Sequence, residues 1–402
     1  MEFKFLKRII VVVACILQAA CGGGSGGGSS GLSATPTDNS TSSSSQGTST
    51  GTGTSSAGTS NTGSSATSTA TSSSSNTGTV PATTPSESVP TAASSYSKAT
   101  DARFRTISVI TIDDAGNLYV YDQGTIRKIA PSGSVTTLAG APGQGGIVNG
   151  TGPAARFTTP TGIAVDHGGN IYLTETTRIV GEIRKITPQG VVTTILDNIN
   201  PTGITVDNAD TIYFTTNGAG PWIAYFNADM QPLQKAVPDH FSPQGLVTDA
   251  AGNLYIITAQ PIDVSPGGAY TATCTLEKVS PSGITTTLAG QRGGVNVDTC
   301  GSVDGIGEAA KLQGRHLTID AAGNLFVAGL DAVRKVTQQG EVTTLVRRAD
   351  PSDSFGAKDI TIDKAGNLYV VNGSEVIYKV TQNGVVSVIA GKAGEPGYVD
   401  VP

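Results

Sequence analysis

One phrase of apolar and polar positions recurs six times along the chain. A short apolar run ends on Asp, a turn carrying Gly-Asn follows, and a second apolar run begins. The copies are ITIDDAGNLYV (110–120), IAVDHGGNIYL (163–173), ITVDNADTIYF (204–214), LVTDAAGNLYI (246–256), LTIDAAGNLFV (317–327) and ITIDKAGNLYV (360–370). Two further runs follow in most copies, as in TIRKIAPSGSVTTLAG (125–140), EIRKITPQGVVTTIL, LEKVSPSGITTTLAG, AVRKVTQQGEVTTLV and VIYKVTQNGVVSVIAG. Runs this short, rich in Val, Ile, Thr and Tyr and bounded by turn residues, predict four β-strands per repeat. Gly116, Gly169, Gly252, Gly323 and Gly366 supply the positive φ that the first turn needs. The third copy has Asp210-Thr211 there, which predicts a looser hairpin.

The strand-ending aspartates are Asp113, Asp166, Asp207, Asp249, Asp320 and Asp363, spaced 53, 41, 42, 71 and 43 residues apart. An Asp at a strand end accepts hydrogen bonds from the next turn's backbone. A catalytic carboxylate is needed once, so six copies are expected to be structural. Periods of 40–50 residues point to propellers. The ordered elements x-G-I-x-V-D-x-x-G-N-x-Y, R-K-I, V-T-T-L-A-G and G-x-G-x-x-A-R-F resemble NHL repeats over essentially all of 101–400. That resemblance implies an all-β, six-bladed β-propeller with four strands per blade. The ends agree: Phe157 lies nine residues before Asp166, Phe104 nine before Asp113, and the chain stops at GKAGEPGYVDVP (391–402). One connector is split between the two ends, as a closed ring requires; an open solenoid would leave its edges bare.

Composition divides the chain. Residues 22–97 are mostly Gly, Ser and Thr with two charges, Asp38 and Glu87. Such a segment cannot bury enough apolar surface to offset its ordering entropy, so a disordered linker precedes the propeller. Its flexible span is about 45–50 Å. Residues 1–20 have a basic start (Lys4, Lys7, Arg8) and an apolar stretch from Ile9 to Ala20, the length of a secretory signal. With Ala19, Ala20 and Cys21 they resemble a bacterial lipoprotein signal, although Gln18 stands where that family has Leu. The resemblance implies cleavage before Cys21, lipid on Cys21, membrane attachment, and, with Gly22 next, outer-membrane sorting. An ordinary signal cleaved nearby, leaving Cys21 a free thiol, is the other reading. The expected domains are thus 1–20 signal, 21–97 lipidated tether and 98–402 propeller.

The body carries more acidic than basic residues, which argues against nucleic acid as a partner, because phosphate binding needs a basic stripe. Cys15 leaves with the signal, so Cys274 and Cys300 remain as an even pair. In an exported protein they are expected to form a disulfide, the alternative being two buried thiols.

In propellers of this type, binding uses the face carrying the connectors from outer strand to next inner strand, where the second-to-third-strand loops also open. Residues there that break the repeat are the candidates: Arg178, Trp222, the insertion 260–270, His240, Phe241, Arg315 and His316. Trp222 is placed in a loop, either exposed for sugar or peptide contact or packed between blades. His316 stands where the second repeat has Gly162. A zinc site takes three protein ligands, and His167 falls in a turn on the opposite face, so no metal and no cofactor is expected. Asp304 and the glycines after it match Asn149 and its neighbours, and read as a connector turn rather than a calcium loop.

No G-x-S-x-G, H-E-x-x-H or P-loop occurs in the body. The expectation is a monomeric head acting as a binding module for a protein, peptide or glycan. The alternative is a propeller-type lyase or lactonase acting at the channel mouth.

Overall fold

The computed structural model describes residues 96–177, 180–217, 222–226, 232–235, 243–259, 271–272, 274–291, 297–298, 300–347 and 356–402. The chain divides at Pro85 into two units, and the described residues all belong to the second. They form a six-bladed β-propeller. Blade one has strands Ile107–Ile112, Leu118–Asp122, Thr125–Ile129 and Val135–Gly140, each antiparallel to the next. The inner strands of blades two to six are Thr159–Val165, Pro201–Val206, Pro243–Thr248, His316–Ile319 and Asp359–Ile362. Trp222 is not in a loop: it opens the third strand of blade three, Trp222–Phe226, opposite Thr216.

The recurring turn is held by its aspartate. Asp113 Oδ1 accepts the N–H of Ala115 and Asn117 at 3.0 and 2.8 Å, and Oδ2 accepts the Asn117 amide and the Tyr119 hydroxyl at 2.7 and 3.0 Å. Asp166, Asp249 and Asp363 repeat this with Asn170–Tyr172, Asn253–Tyr255 and Asn367–Tyr369. The third turn is as tight as the others. Asp207 accepts from Ala209 and Thr211, both at 2.8 Å, and Asp210 takes the left-handed backbone (φ 60°) that glycine takes elsewhere. The expected looseness is absent because an Asp tolerates that conformation.

Successive inner strands pack side by side around an axis, and the sixth lies beside the first. The split connector closes the ring. Arg103 and Val399 exchange backbone hydrogen bonds at 3.1 Å, and Val135 of the blade-one outer strand pairs with Val401. In blades two and five the same edge is covered by Gly150–Thr151 and Gly305–Ile306, arriving from the preceding blade. The core consists of apolar layers between blades. One unites Phe104, Ile107, Ile110 and Val120 with Tyr369, Val371 and Ile377 across the closing seam. Tyr96, placed in the linker by composition, belongs to this layer. It is 3% exposed and donates its hydroxyl to Gly116 O at 2.6 Å.

Three blades carry a buried arginine on the third strand. Arg127 meets Asp122 and Asp400, Arg184 meets Glu175, Glu182 and Asn149, and Arg334 lies 3.6 Å from Asp304. Each partner from the connector also takes the hydroxyl of an outer-strand threonine: Thr137 on Asp400, Thr194 on Asn149, Thr344 on Asp304. Asp304 therefore does a connector's work.

Candidate functional site

The inner strands enclose a cavity of about 230 Å³ lined by residues of all six blades. One end lies at the strand starts and the other at the aspartate turns. At the starts, Val109, Gly162, Gly203, Gly245, His316 and Asp359 hold equivalent positions, from the strand bounds and the aspartates that end them.

Half of this mouth is sealed by small residues. A Cβ on Gly203 would lie 2.4 Å from Gln244 O, and one on Gly245 would lie 2.5 Å from Arg315 O, so the blades approach backbone to backbone. Beside them Thr161 donates its hydroxyl to Pro201 O at 3.0 Å and Thr202 donates to Pro243 O at 2.6 Å. Neighbouring blades two, three and four are stapled by these bonds.

The other half carries side-chain chemistry. His316 Nδ1 lies 3.1 Å from Asp359 Oδ1, with the imidazole 19% and the carboxylate 7% exposed. Asp359 Oδ2 accepts the Ile110 N–H at 2.8 Å, and Oδ1 accepts the Ile360 N–H at 2.8 Å. The pair thus ties blades five, six and one together. A carboxylate beside Nδ1 favours the tautomer with its proton there, which leaves Nε2 as an acceptor. The residues preceding the pair, Arg315 and Lys358, are exposed. Neither side chain has an ionic or hydrogen-bonding partner among the described residues. Asp359 went unremarked in the sequence because its partner is 43 residues away in another blade; its only signal was an acid where three of the other repeats have Gly.

Of the other candidates, Arg178, His240, Phe241 and the insertion 260–270 lie outside the described residues, and only the backbone of Trp222 is described. Cys274 and Cys300 are joined by a disulfide, Cα atoms 4.9 Å apart. It ties the start of the third strand of blade four to the connector that leads to Arg315 and His316. No group of three or more His, Cys, Asp or Glu able to hold a metal occurs among the described residues. His167, at the turn end, is bound elsewhere: Nδ1 lies 2.7 Å from Asp210 Oδ1, and Nε2 lies 3.8 Å from Asp114. The bond to Asp210 raises its pKa above the ordinary imidazole value.

No protein-family model matches the chain. No curated protein matches it either. Among solved structures it is similar to an auxiliary nutrient binding protein from Bacteroides thetaiotaomicron (14% identity, TM-score 0.51, 71% of this chain and 70% of that one). A second, from Bacteroides ovatus, gives 16% identity, TM-score 0.50 and the same coverage, 71% and 70%. A virginiamycin B lyase from Staphylococcus aureus gives 17% identity and TM-score 0.45 over 70% of this chain and 83% of that one. At these identities the first two likenesses show a shared fold.

Proposed function

We propose that this chain is a lipid-anchored, NHL-type propeller whose head binds a protein, peptide or glycan of the bacterial cell envelope at the channel mouth. The observation that carries the binding role is the asymmetry of the mouth. Four of six equivalent positions are glycine or valine, while the remaining two, His316 and Asp359, form a pair flanked by two cations whose side chains have no partner among the described residues. Scaffold residues repeat; this cluster does not. Anchoring rests on the signal-like leader, Cys21 and the Gly/Ser/Thr tether. The reading is compatible with the nutrient-binding descriptions of the two similar structures, and it rests on the mouth's own residues.

Capture of envelope components by the full-length protein tests the binding role. The Arg315→Ala, His316→Gln, Lys358→Ala triple variant is expected to lose the captured component; unchanged capture sinks the assignment to this mouth. Cys21→Ala is expected to move the protein from the membrane fraction to the soluble one.

A lyase or lactonase is the second reading, favoured by one observation. An imidazole whose Nδ1 is held by a carboxylate is arranged as a general base. Lactone turnover that disappears in His316→Gln would support it, and turnover unaffected by that change would remove it.

A further inference from the structure

We propose that the ligand of the channel mouth is a small hydroxylated carboxylate, of the class of sugar acids and the acidic ends of glycans. This deepens the binding reading above and rests on it.

Three features of the mouth select this chemistry together. The first is the acceptor at the centre. Asp359 accepts one backbone N–H on each oxygen, and His316 Nδ1 lies 3.1 Å from Oδ1, so most of its acceptor capacity is taken up within the protein. Its proximity to Nδ1 favours the tautomer protonated there, which leaves Nε2 as the acceptor on a residue that lines the cavity. A hydroxyl satisfies that atom; a carboxylate oxygen does not.

The second is charge. Arg315 and Lys358 sit on adjacent blades, each one residue before the pair, where blades two and three carry the stapling Thr161 and Thr202. Both cations are exposed, and their side chains have no partner among the described residues. Among the six equivalent positions at the strand starts, Asp359 is the one carboxylate, and both its oxygens already accept backbone N–H groups. Two cations against one carboxylate leave the described residues on this side of the mouth with a net positive charge, which favours an anion. An arginine and a lysine, each one residue before the inner strand of neighbouring blades, suit a carboxylate.

Size is the third. The cavity of about 230 Å³ falls below the several hundred Å³ that drug-sized ligands occupy, which limits the buried part to roughly one ring. Its walls include the inward edges of six strands, whose backbone groups favour a ligand dense in hydroxyls over an apolar one.

The test uses three probes on full-length protein with 13C-labelled histidine: D-glucuronate, D-glucose and acetate. The chain has three histidines, and His316→Gln assigns the ring signal of interest. Glucuronate is expected to shift the His316 ring and to bind at least tenfold more tightly than either glucose or acetate. Arg315→Ala with Lys358→Ala is expected to weaken glucuronate at least tenfold while leaving glucose unchanged, with an unaltered melting temperature as the fold control. Equal binding of acetate would reduce the site to a simple anion site, and equal binding of glucose would remove the acid requirement; either overturns the proposal. A His316 signal silent to glucuronate, while envelope capture still depends on His316, retires the ligand class but leaves the binding module. Silence in both retires the module with it.

Discussion

At the scale of residues, the recurring aspartates are stabilising in proportion to what they hold. Asp249 accepts four hydrogen bonds, from Ala251 N, Asn253 N, the Asn253 amide and the Tyr255 hydroxyl. Asp320 faces Phe326, which has no hydroxyl to give, and keeps the Asn324 pair. Asp249→Ala is expected to cost about 2–3 kcal/mol and Asp320→Ala about 1 kcal/mol less, measured by denaturant midpoints. Burial pushes the Asp249 carboxyl up, but the bonds from Asn253, Tyr255 and Ala251 outweigh it and hold the group below its ordinary value. Its contribution is therefore present above the unfolded carboxyl's pKa of about 3.9 and is lost as pH falls through the depressed folded value. Asp249→Asn should flatten that acid limb. His167 runs the other way. Its pKa is raised by the hydrogen bond to Asp210, so the link is fully present below the unfolded imidazole value and fades as pH rises through the folded one. Ring titration by NMR is expected to fall towards the ordinary value in Asp210→Asn. A midpoint unmoved by that change would show that Asp210 does not hold the ring.

The strand and connector scale separates the three arginine blades. In blade one Arg127 is 1% exposed, lies over the Phe104 ring at 4.3 Å, and faces the fully buried Asp122. Glu175 fills the Asp122 position in blade two. In blade five that position is Gly329, whose missing side chain could not be restored, because a Cβ would meet Gln313 O at 2.5 Å. Arg334 is accordingly left with Nε and Nη2 unpaired while buried, and this desolvation lowers its pKa. Arg127→Met strands a buried carboxylate and is expected to cost about 3–5 kcal/mol, whereas Arg334→Met is expected to be neutral or stabilising. Equal losses in thermal melts would contradict this account. These differences also mark what a single sequence can reveal. The four-strand period, the Asp–Gly–Asn turn and the split connector are legible because each is a local pattern repeated. The R-K-I arginines are legible as a recurring residue, but not as partners of Asp400, Asn149 and Asp304, since those contacts cross from one repeat to the next. His316 is legible as a break in the repeat, and Asp359 is not, for the same reason: the tie between them exists only once the blades are arranged around an axis.

For the whole molecule, closure and the candidate site share one seam. Tyr96 lies against the turns at Gly116 and Pro131, at the end opposite the mouth. The ring closes where Val399 and Val401 pair with Arg103 and Val135 and where Asp400 reaches Arg127 at 2.7 Å. Asp359 crosses the same blade-six to blade-one boundary to take the Ile110 N–H, and it is Asp359 that orients His316. Opening the ring at the connector must therefore loosen the mouth, although residues 397–402 do not line it. Deleting those six residues removes two strand pairings and leaves Arg127 without Asp400, which is half-exposed, so the loss is expected to be about 3–4 kcal/mol rather than total unfolding. The His316 ring signal is expected to broaden or shift in the truncated protein below its melting temperature, and a peptide of sequence GEPGYVDVP added in excess is expected to restore it. Deleting Ser132 and Gly133, at the turn end of blade one, should lower stability without that signature. A His316 signal unchanged by the C-terminal deletion would mean that the seam and the site are independent.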